Sequence, residues 1–260
     1  MRVLVIGSSS SAGTGLADQS LAWPWLLKAE LPAIVGEPVD LEHRIVFPVG
    51  PRALPLAFLA VDETEPDLVI HSFGCFPCII GTVGTRVRKR YGARAFRAFR
   101  KFNLLFEGNT ARTDGRPARL NHVGRWLVRH VIGTETLATY DEVFGVHSTI
   151  QHRLSQREGI LLVSMCEPDL SGRLVKENRG ALAILRRFRN EMEAVARGHR
   201  FIVADCGDGF DAHPERESLF LSDGLHKSVA GQRIQADAIL TAIRASGLFA
   251  ASAAGASVLR

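Results

Sequence analysis

The sequence predicts an α/β protein, with a mainly parallel sheet covered by helices on both faces. Three observations carry that prediction. Short apolar runs that read as buried strands alternate with longer stretches of helical periodicity. A hydrophobic content of 46% beside 23% charged residues is ordinary for a globular chain. The 260 residues suffice for one large domain, and no internal repeat or linker divides them.

The elements follow in order. Residues 2–6 read as a buried first strand, Val3-Leu4-Val5-Ile6, which ends in a glycine-serine loop. Residues 20–30 read as a helix with Pro24 near its start, where a missing N–H costs no hydrogen bond. A second strand is expected over Glu42–Val49 and a helix over Leu54–Val61, and Pro66-Asp67 then opens a buried strand at Leu68–Ile70. Residues 84–155 exceed a simple crossover and predict two to four helices, with Gly108–Pro117 as their clearest loop. A strand over Ile160–Met165 precedes a charged amphipathic helix at Leu174–Arg197 and a strand at Phe201–Ala204. A loop to Leu221 leads into the last helix, Val229–Ala245, and residues 249–260 carry no strong pattern and are expected to fray. The reading is thus one domain, 1–248, with a helical insertion or cap at 84–155 and a short tail.

No apolar run reaches the roughly 18 residues needed to cross a bilayer. The four apolar residues after Arg2 are too few for a secretory core, so the expected location is the cytoplasm. Cys75, Cys78, Cys166 and Cys206 fit reduced, mostly buried thiols better than a disulfide framework. The net charge is +5, and residues 86–101 hold eight Lys or Arg with no acid; taking those eight away leaves −3. The basicity belongs to that segment, not to the whole surface.

The chemistry-bearing residues sit at the two ends. Gly7-Ser8-Ser9-Ser10-Ser11 follows the first strand, and Asp223-Gly224-Leu225-His226 precedes the last helix. A serine past a buried strand, with an aspartate and a histidine three residues apart, can form a nucleophile, its base and the group that orients the base. The loop residues alone also fit plain turn and capping chemistry, or a mononucleotide phosphate loop. The dinucleotide fingerprint is absent, because Gly13-Thr14-Gly15 lies too late and lacks the third glycine. An Asp-x-x-His before a glycine-bearing helix start favours the hydrolytic reading.

With these residues in view, the chain resembles the SGNH, or GDSL-type, hydrolase family. Gly7-Ser8-Ser9 lies in register with the family's Gly-Asp-Ser block, and Asp223-Gly224-Leu225-His226 with Ala230-Gly231 matches its last block. The resemblance implies a three-layer α/β/α flavodoxin-like sandwich acting on esters and related acyl groups, without a cofactor or metal. It implies Ser9 as nucleophile, His226 as base and Asp223 as its orienting acid. It places an oxyanion amide on Gly50 and sets Gly74-Cys75 in register with the third block; beside that, His71 and Ser72 near the same strand end are candidate oxyanion donors, and Cys75 is a candidate substrate contact. Two departures stand out. Ser8 replaces the aspartate that supports the loop, and Phe76 stands where the third block has an oxyanion-donating asparagine. Losing one such donor costs on the order of 10²- to 10³-fold in rate.

Other readings remain beside these. An acyltransferase on the same scaffold and a non-catalytic ligand-binding protein both fit the fold. Cys75-Phe76-Pro77-Cys78 has redox or metal spacing, but no second C-x-x-C completes a zinc site, and structural thiols are the plainer reading. Phe96, Phe99 and Phe102 lie at helical spacing among the arginines of 86–101, as in an amphipathic helix with a wet basic face. That face also suits an anionic or carrier-bound acyl substrate, an acidic protein or an anionic membrane surface. No nucleic acid is expected, because no binding motif accompanies the charge.

Overall fold

The apolar runs become a five-stranded sheet. A computed structural model of the chain describes residues 1–107, 131–168 and 170–249. Strands β1 (Arg2–Gly7), β2 (Asp40–Ile45), β3 (Leu68–Phe73), β4 (Leu161–Cys166) and β5 (Ile202–Ala204) pair in the order β2-β1-β3-β4-β5, all parallel. This is the doubly wound order in which the C-terminal strand edge is the place for a site.

Alternate side chains of the strands feed two apolar layers. Val3, Val5, Leu68, Ile70, Val163 and Met165 pack on one face, against Trp23 and Leu27 of the helix Trp23–Glu30 and Ile239 and Ile243 of the helix Val229–Ala245. Leu4, Ile6 and Val69 pack on the other, against Ala57 and Val61 of the helix Ala53–Thr64 and Ile150 and Leu154 of the helix Tyr140–Leu154. Sheet and helices thus form the expected three layers.

Several boundaries differ from the sequence reading, each for a tertiary reason. β2 starts at Asp40 and ends at Ile45, not at Val49, because its partner β1 runs only from Arg2 to Gly7. A last N–H of Val46 reaches the Gly7 carbonyl, and Pro48 has no N–H to continue. β3 extends past Ile70 to Phe73, since β4 pairs with it along the full length. The helix expected over Leu174–Arg197 is two, Gly172–Glu177 and Ala181–Gly198. Gly180 between them takes the left-handed conformation at φ 82°, and the Asn178 side chain donates to the Leu174 carbonyl at 2.9 Å. The loop before the last helix contains the short helix Gly207–Asp211 and a 3₁₀ turn at Arg216–Leu219. The last helix has the expected bounds. The loop expected at Gly108–Pro117 and residues 250–260 of the tail lie outside the described residues.

The chain forms two compact units, Met1–Cys75 with Asp141–Arg260, and Phe76–Tyr140. The first holds the sheet and both layers. In the second, Thr82 and Glu135 exchange two backbone hydrogen bonds. Its helix Val83–Glu107 breaks at Gly92, at φ 81° and ψ 179°. A Cβ placed on Gly84 would lie 3.2 Å from the Phe96 ring, where a straight helix would separate the two by roughly 18 Å. The two halves therefore fold back on one another. Phe96 and Phe99 are half-buried, while Arg90, Arg94, Arg97, Arg100 and Lys101 are exposed and form no ion pair among the described residues.

Beneath the second apolar layer lies a histidine pair. His71 on β3 and His147 on the helix Tyr140–Leu154 share a hydrogen bond of 3.1 Å, at 0% and 4% exposure, beside the rings of Phe73 and Phe188. Burial holds both imidazoles neutral: it pushes His147 down to about 4 and His71 well below the usual histidine range. The unfolded chain titrates near 6.5, so below that pH it binds protons that the folded chain does not. Stability is full above about pH 6.5 and falls as pH drops toward 4, by up to about 1.4 kcal/mol per pH unit for each histidine. Urea unfolding at pH 7.5 and pH 5 is expected to show this loss, and a His71→Phe/His147→Leu variant to flatten it. A wild-type stability independent of pH in this window would contradict the burial of the pair.

Candidate active site

β1 ends at Gly7 because the next turn leaves no room for a side chain. A Cβ on Gly7 would lie 2.1 Å from the Ser11 Oγ. The loop then coils tightly: the N–H groups of Ala12, Gly13 and Thr14 donate to the carbonyls of Ser8, Ser10 and Ser9, each at 3.2 Å. Gly13 and Gly15 hold positive φ, at 67° and 88°. This coil separates four chemically identical side chains. Ser10 and Ser11 are buried, Ser8 is half-buried and Ser9 is exposed.

The other half of the site comes from the loop before the last helix. The N–H of Leu221 donates to the His226 carbonyl at 2.8 Å, and that of Gly224 to the Leu221 carbonyl at 2.8 Å. Gly224 has φ 74°, and a Cβ there would lie 2.2 Å from the Ser171 Oγ. The turn aims Asp223 and His226 at each other. Asp223 Oδ2 lies 2.6 Å from His226 Nδ1, and Oδ1 accepts from the N–H groups of Leu225 at 2.9 Å and His226 at 3.0 Å. Burial opposes the carboxylate's charge, yet the hydrogen bonds from the His226 ring and the two amides prevail and hold it below the usual carboxylate range.

These contacts fix the histidine tautomer. An ionised carboxylate only accepts, so Nδ1 carries the proton and Nε2 keeps its lone pair. That Nε2 lies 3.0 Å from Ser9 Oγ. The line Asp223–His226–Ser9 is therefore continuous, with its serine in water and its imidazole 14% exposed. An arrangement of this order can withdraw the hydroxyl proton as the oxygen attacks an electrophile.

A buried amide joins the two halves. Gln232, 1% exposed in the first turn of the last helix, donates from Nε2 to the Ser10 carbonyl at 3.0 Å. Its Oε1 accepts the Trp23 N–H, also at 3.0 Å. Outside this clamp Arg233 pairs with Glu30. On the β2 side, Ser11 Oγ donates to the Ser8 carbonyl at 2.7 Å and lies 2.9 Å from His43 Nε2. The hydroxyl has spent its proton, so His43 is the donor there, and burial pushes that imidazole down to about 4.

The remaining expected residues divide. Gly50 follows β2 at φ 86°, exposed, and its N–H and that of Ser9 have no hydrogen-bond partner among the described residues. Gly74 and Cys75 are buried just past the end of β3. His71 is not brought into the group: it is fully buried, and its Nε2 is committed to His147. A polar residue near a strand end reads as a site residue in sequence, but the extension of β3 to Phe73 carries it under the helix layer. Phe76 opens the short helix Phe76–Ile79. All four cysteines are buried and none forms a disulfide, and burial pushes the Cys206 thiol up to about 12. Among the described residues no three His, Cys, Asp or Glu side chains gather to hold a metal ion.

Sequence reasoning missed His43, Gln232 and Glu167. Gln232 had a signal: it falls on the buried stripe Gln232, Gln235, Ala236, Ile239, Leu240, Ile243, where an amide needs a partner. Glu167, one residue past β4 and 3% exposed, accepts a hydrogen bond from Ser8 Oγ. The sequence carries no local sign of it.

No protein-family model matches the chain, and no curated protein matches it in sequence. Solved structures do. The Enterococcus faecalis lipase/acylhydrolase superposes with a TM-score of 0.56 at 16% identity, over 95% of this chain and 97% of that one. TesA gives 0.55 at 14% identity, over 94% and 98%. The acetylxylan esterase Axe2 of Geobacillus stearothermophilus gives 0.55 at 13% identity, over 93% of each. The likeness spans nearly the whole of each chain, and it shows that the three-layer α/β/α fold expected from the sequence is the fold of this protein.

Gln232→Glu, which keeps the acceptor for Trp23 but loses the donor to Ser10, is expected to lower stability by about 1–3 kcal/mol in equilibrium unfolding. An unchanged midpoint would remove the clamp from this account.

Proposed function

We propose that this chain is a serine-dependent ester hydrolase of the SGNH family, acting on a small acylated molecule through a covalent acyl-serine intermediate. The observation that carries the proposal is the hydrogen-bonded line from exposed Ser9 through His226 to Asp223 at the C-terminal edge of the first strand. The structural relatives support it. Those of known name include a lipase/acylhydrolase and an acetylxylan esterase, and one Axe2 structure is of a catalytic mutant in which a serine is replaced by alanine.

In the mechanism His226 Nε2 takes the Ser9 hydroxyl proton while Oγ bonds to the acyl carbon. The carbonyl electron pair moves onto oxygen, which the partner-free N–H groups of Ser9 and Gly50 receive. The Phe76 side chain has no donor, so stabilisation rests on these main-chain groups. The intermediate collapses as His226 returns the proton to the leaving alcohol. Water, deprotonated by the same nitrogen, then releases the acid and restores Ser9. Asp223 keeps the imidazole in its Nδ1–H form and favours the imidazolium that forms in each step.

Hydrolysis of p-nitrophenyl acetate tests this. Ser9→Ala and His226→Ala are expected to fall to background while remaining folded. Asp223→Asn is expected to lose on the order of 10⁴-fold in kcat, as when a triad aspartate is neutralised and the wrong tautomer results. Full turnover in Ser9→Ala would overturn the proposal.

A further inference from the structure

We propose that Glu167 is a positioning residue for the nucleophile, supplying from β4 a carboxylate that pins the loop on both sides of Ser9. Its catalytic consequence rests on the function proposed above; its structural content does not. Glu167 is itself fixed, because its N–H donates to the Phe73 carbonyl at 2.7 Å where β3 and β4 end. Its Oε1 meets Ser8 Oγ, and that same Oγ lies 3.1 Å from the Ser10 N–H.

The direction of this chain is set by counting protons. An amide N–H only donates, so Ser10 occupies a lone pair of the Ser8 oxygen. The single hydroxyl proton then goes to Glu167. The bonds run one way, from Ser10 N–H to Ser8 O–H to the carboxylate, and they hold the residue before Ser9 and the residue after it. A charged acceptor at the end makes this stronger than a neutral turn. With both neighbours held, Ser9 presents Oγ to His226 and keeps its own N–H unspent.

Stability alone does not explain the carboxylate. Glu167 is 3% exposed, and its second oxygen, Oε2, is buried without a hydrogen-bond partner. A buried oxygen left unpaired destabilises a fold, so an apolar side chain of the same length would suit packing better. What the carboxylate contributes is loop geometry.

The geometry also says how to move it. An aspartate at position 8 would put a carboxylate oxygen where Ser8 Oγ accepts the Ser10 N–H, without help from Glu167. The test compares Glu167→Met, Ser8→Ala and the double variant Ser8→Asp/Glu167→Met with the wild type. The first readout, amide hydrogen exchange over residues 8–14, needs no turnover. The Ser10 amide is expected to exchange at least tenfold faster in Glu167→Met and in Ser8→Ala, and to recover protection in the double variant. The second readout is ester hydrolysis: kcat is expected to fall 10- to 100-fold in both single variants with KM within twofold, and to return to within about fivefold of wild type in the double variant. A purely structural Glu167 would lower thermal stability along with activity, and Asp at position 8 would not restore either. Unchanged exchange and kcat in Glu167→Met, or no recovery in the double variant, overturns the proposal. Should Glu167→Met fail to fold, Ser8→Ala breaks the same chain of bonds from its other end and decides the matter. If the wild type shows no Ser9-dependent hydrolysis, the function fails while the exchange result still decides this inference.

Discussion

Ser9 and His226, the proposed nucleophile and base, come from opposite ends of the chain, and a buried amide makes them neighbours. Gln232 holds the Ser10 carbonyl with one end of its side chain and the Trp23 N–H with the other. Both bonds lie at full burial, where an amide with one partner missing would be costly. The constraint therefore acts in two directions. It places the last helix against the first, which closes one apolar layer over the sheet, and it sets the Ser9 loop at a fixed distance from the His226 turn. The ion pair of Arg233 with Glu30 adds to the same contact from the outside.

The histidines show how placement decides chemistry. His71 and His147 share one bond in a buried layer with no anion beside them among the described residues, so burial keeps them neutral and gives them a structural part. His43 is also held neutral and serves as a donor to Ser11. His226 differs in both respects: it reaches solvent, and Asp223 faces its Nδ1. In the proposed mechanism His226 alternates between neutral and charged forms, and that anion stabilises the charged one.

Much of this was legible in the sequence where the signal is local. The strand-loop block at Gly7–Ser11 and the Asp-x-x-His at 223–226 mark the candidate site because each is a short segment whose turn chemistry is written in its own residues. The last helix has the bounds the sequence predicts, and in the structure Ser228 caps it, accepting from the Gly231 N–H. What failed depended on distant partners. The end of β2 is set by the length of β1, the burial of His71 by the extent of β4, and the split at Gly180 by one left-handed residue within an otherwise amphipathic pattern. Composition alone does not choose among four adjacent serines; register with the family block singles out Ser9, and the loop's coil, which buries Ser10 and Ser11, leaves that residue at the surface beside His226. Gln232 and Glu167 act across 222 and 159 residues of sequence, beyond the reach of any local pattern.

The central claim is that Ser9 is a nucleophile activated by His226. Reaction with a fluorophosphonate probe, read by peptide mass spectrometry, tests it most directly. The account predicts one adduct on Ser9 in the wild type and none in folded His226→Ala. No adduct on the folded wild type, or an adduct that persists without His226, would contradict it.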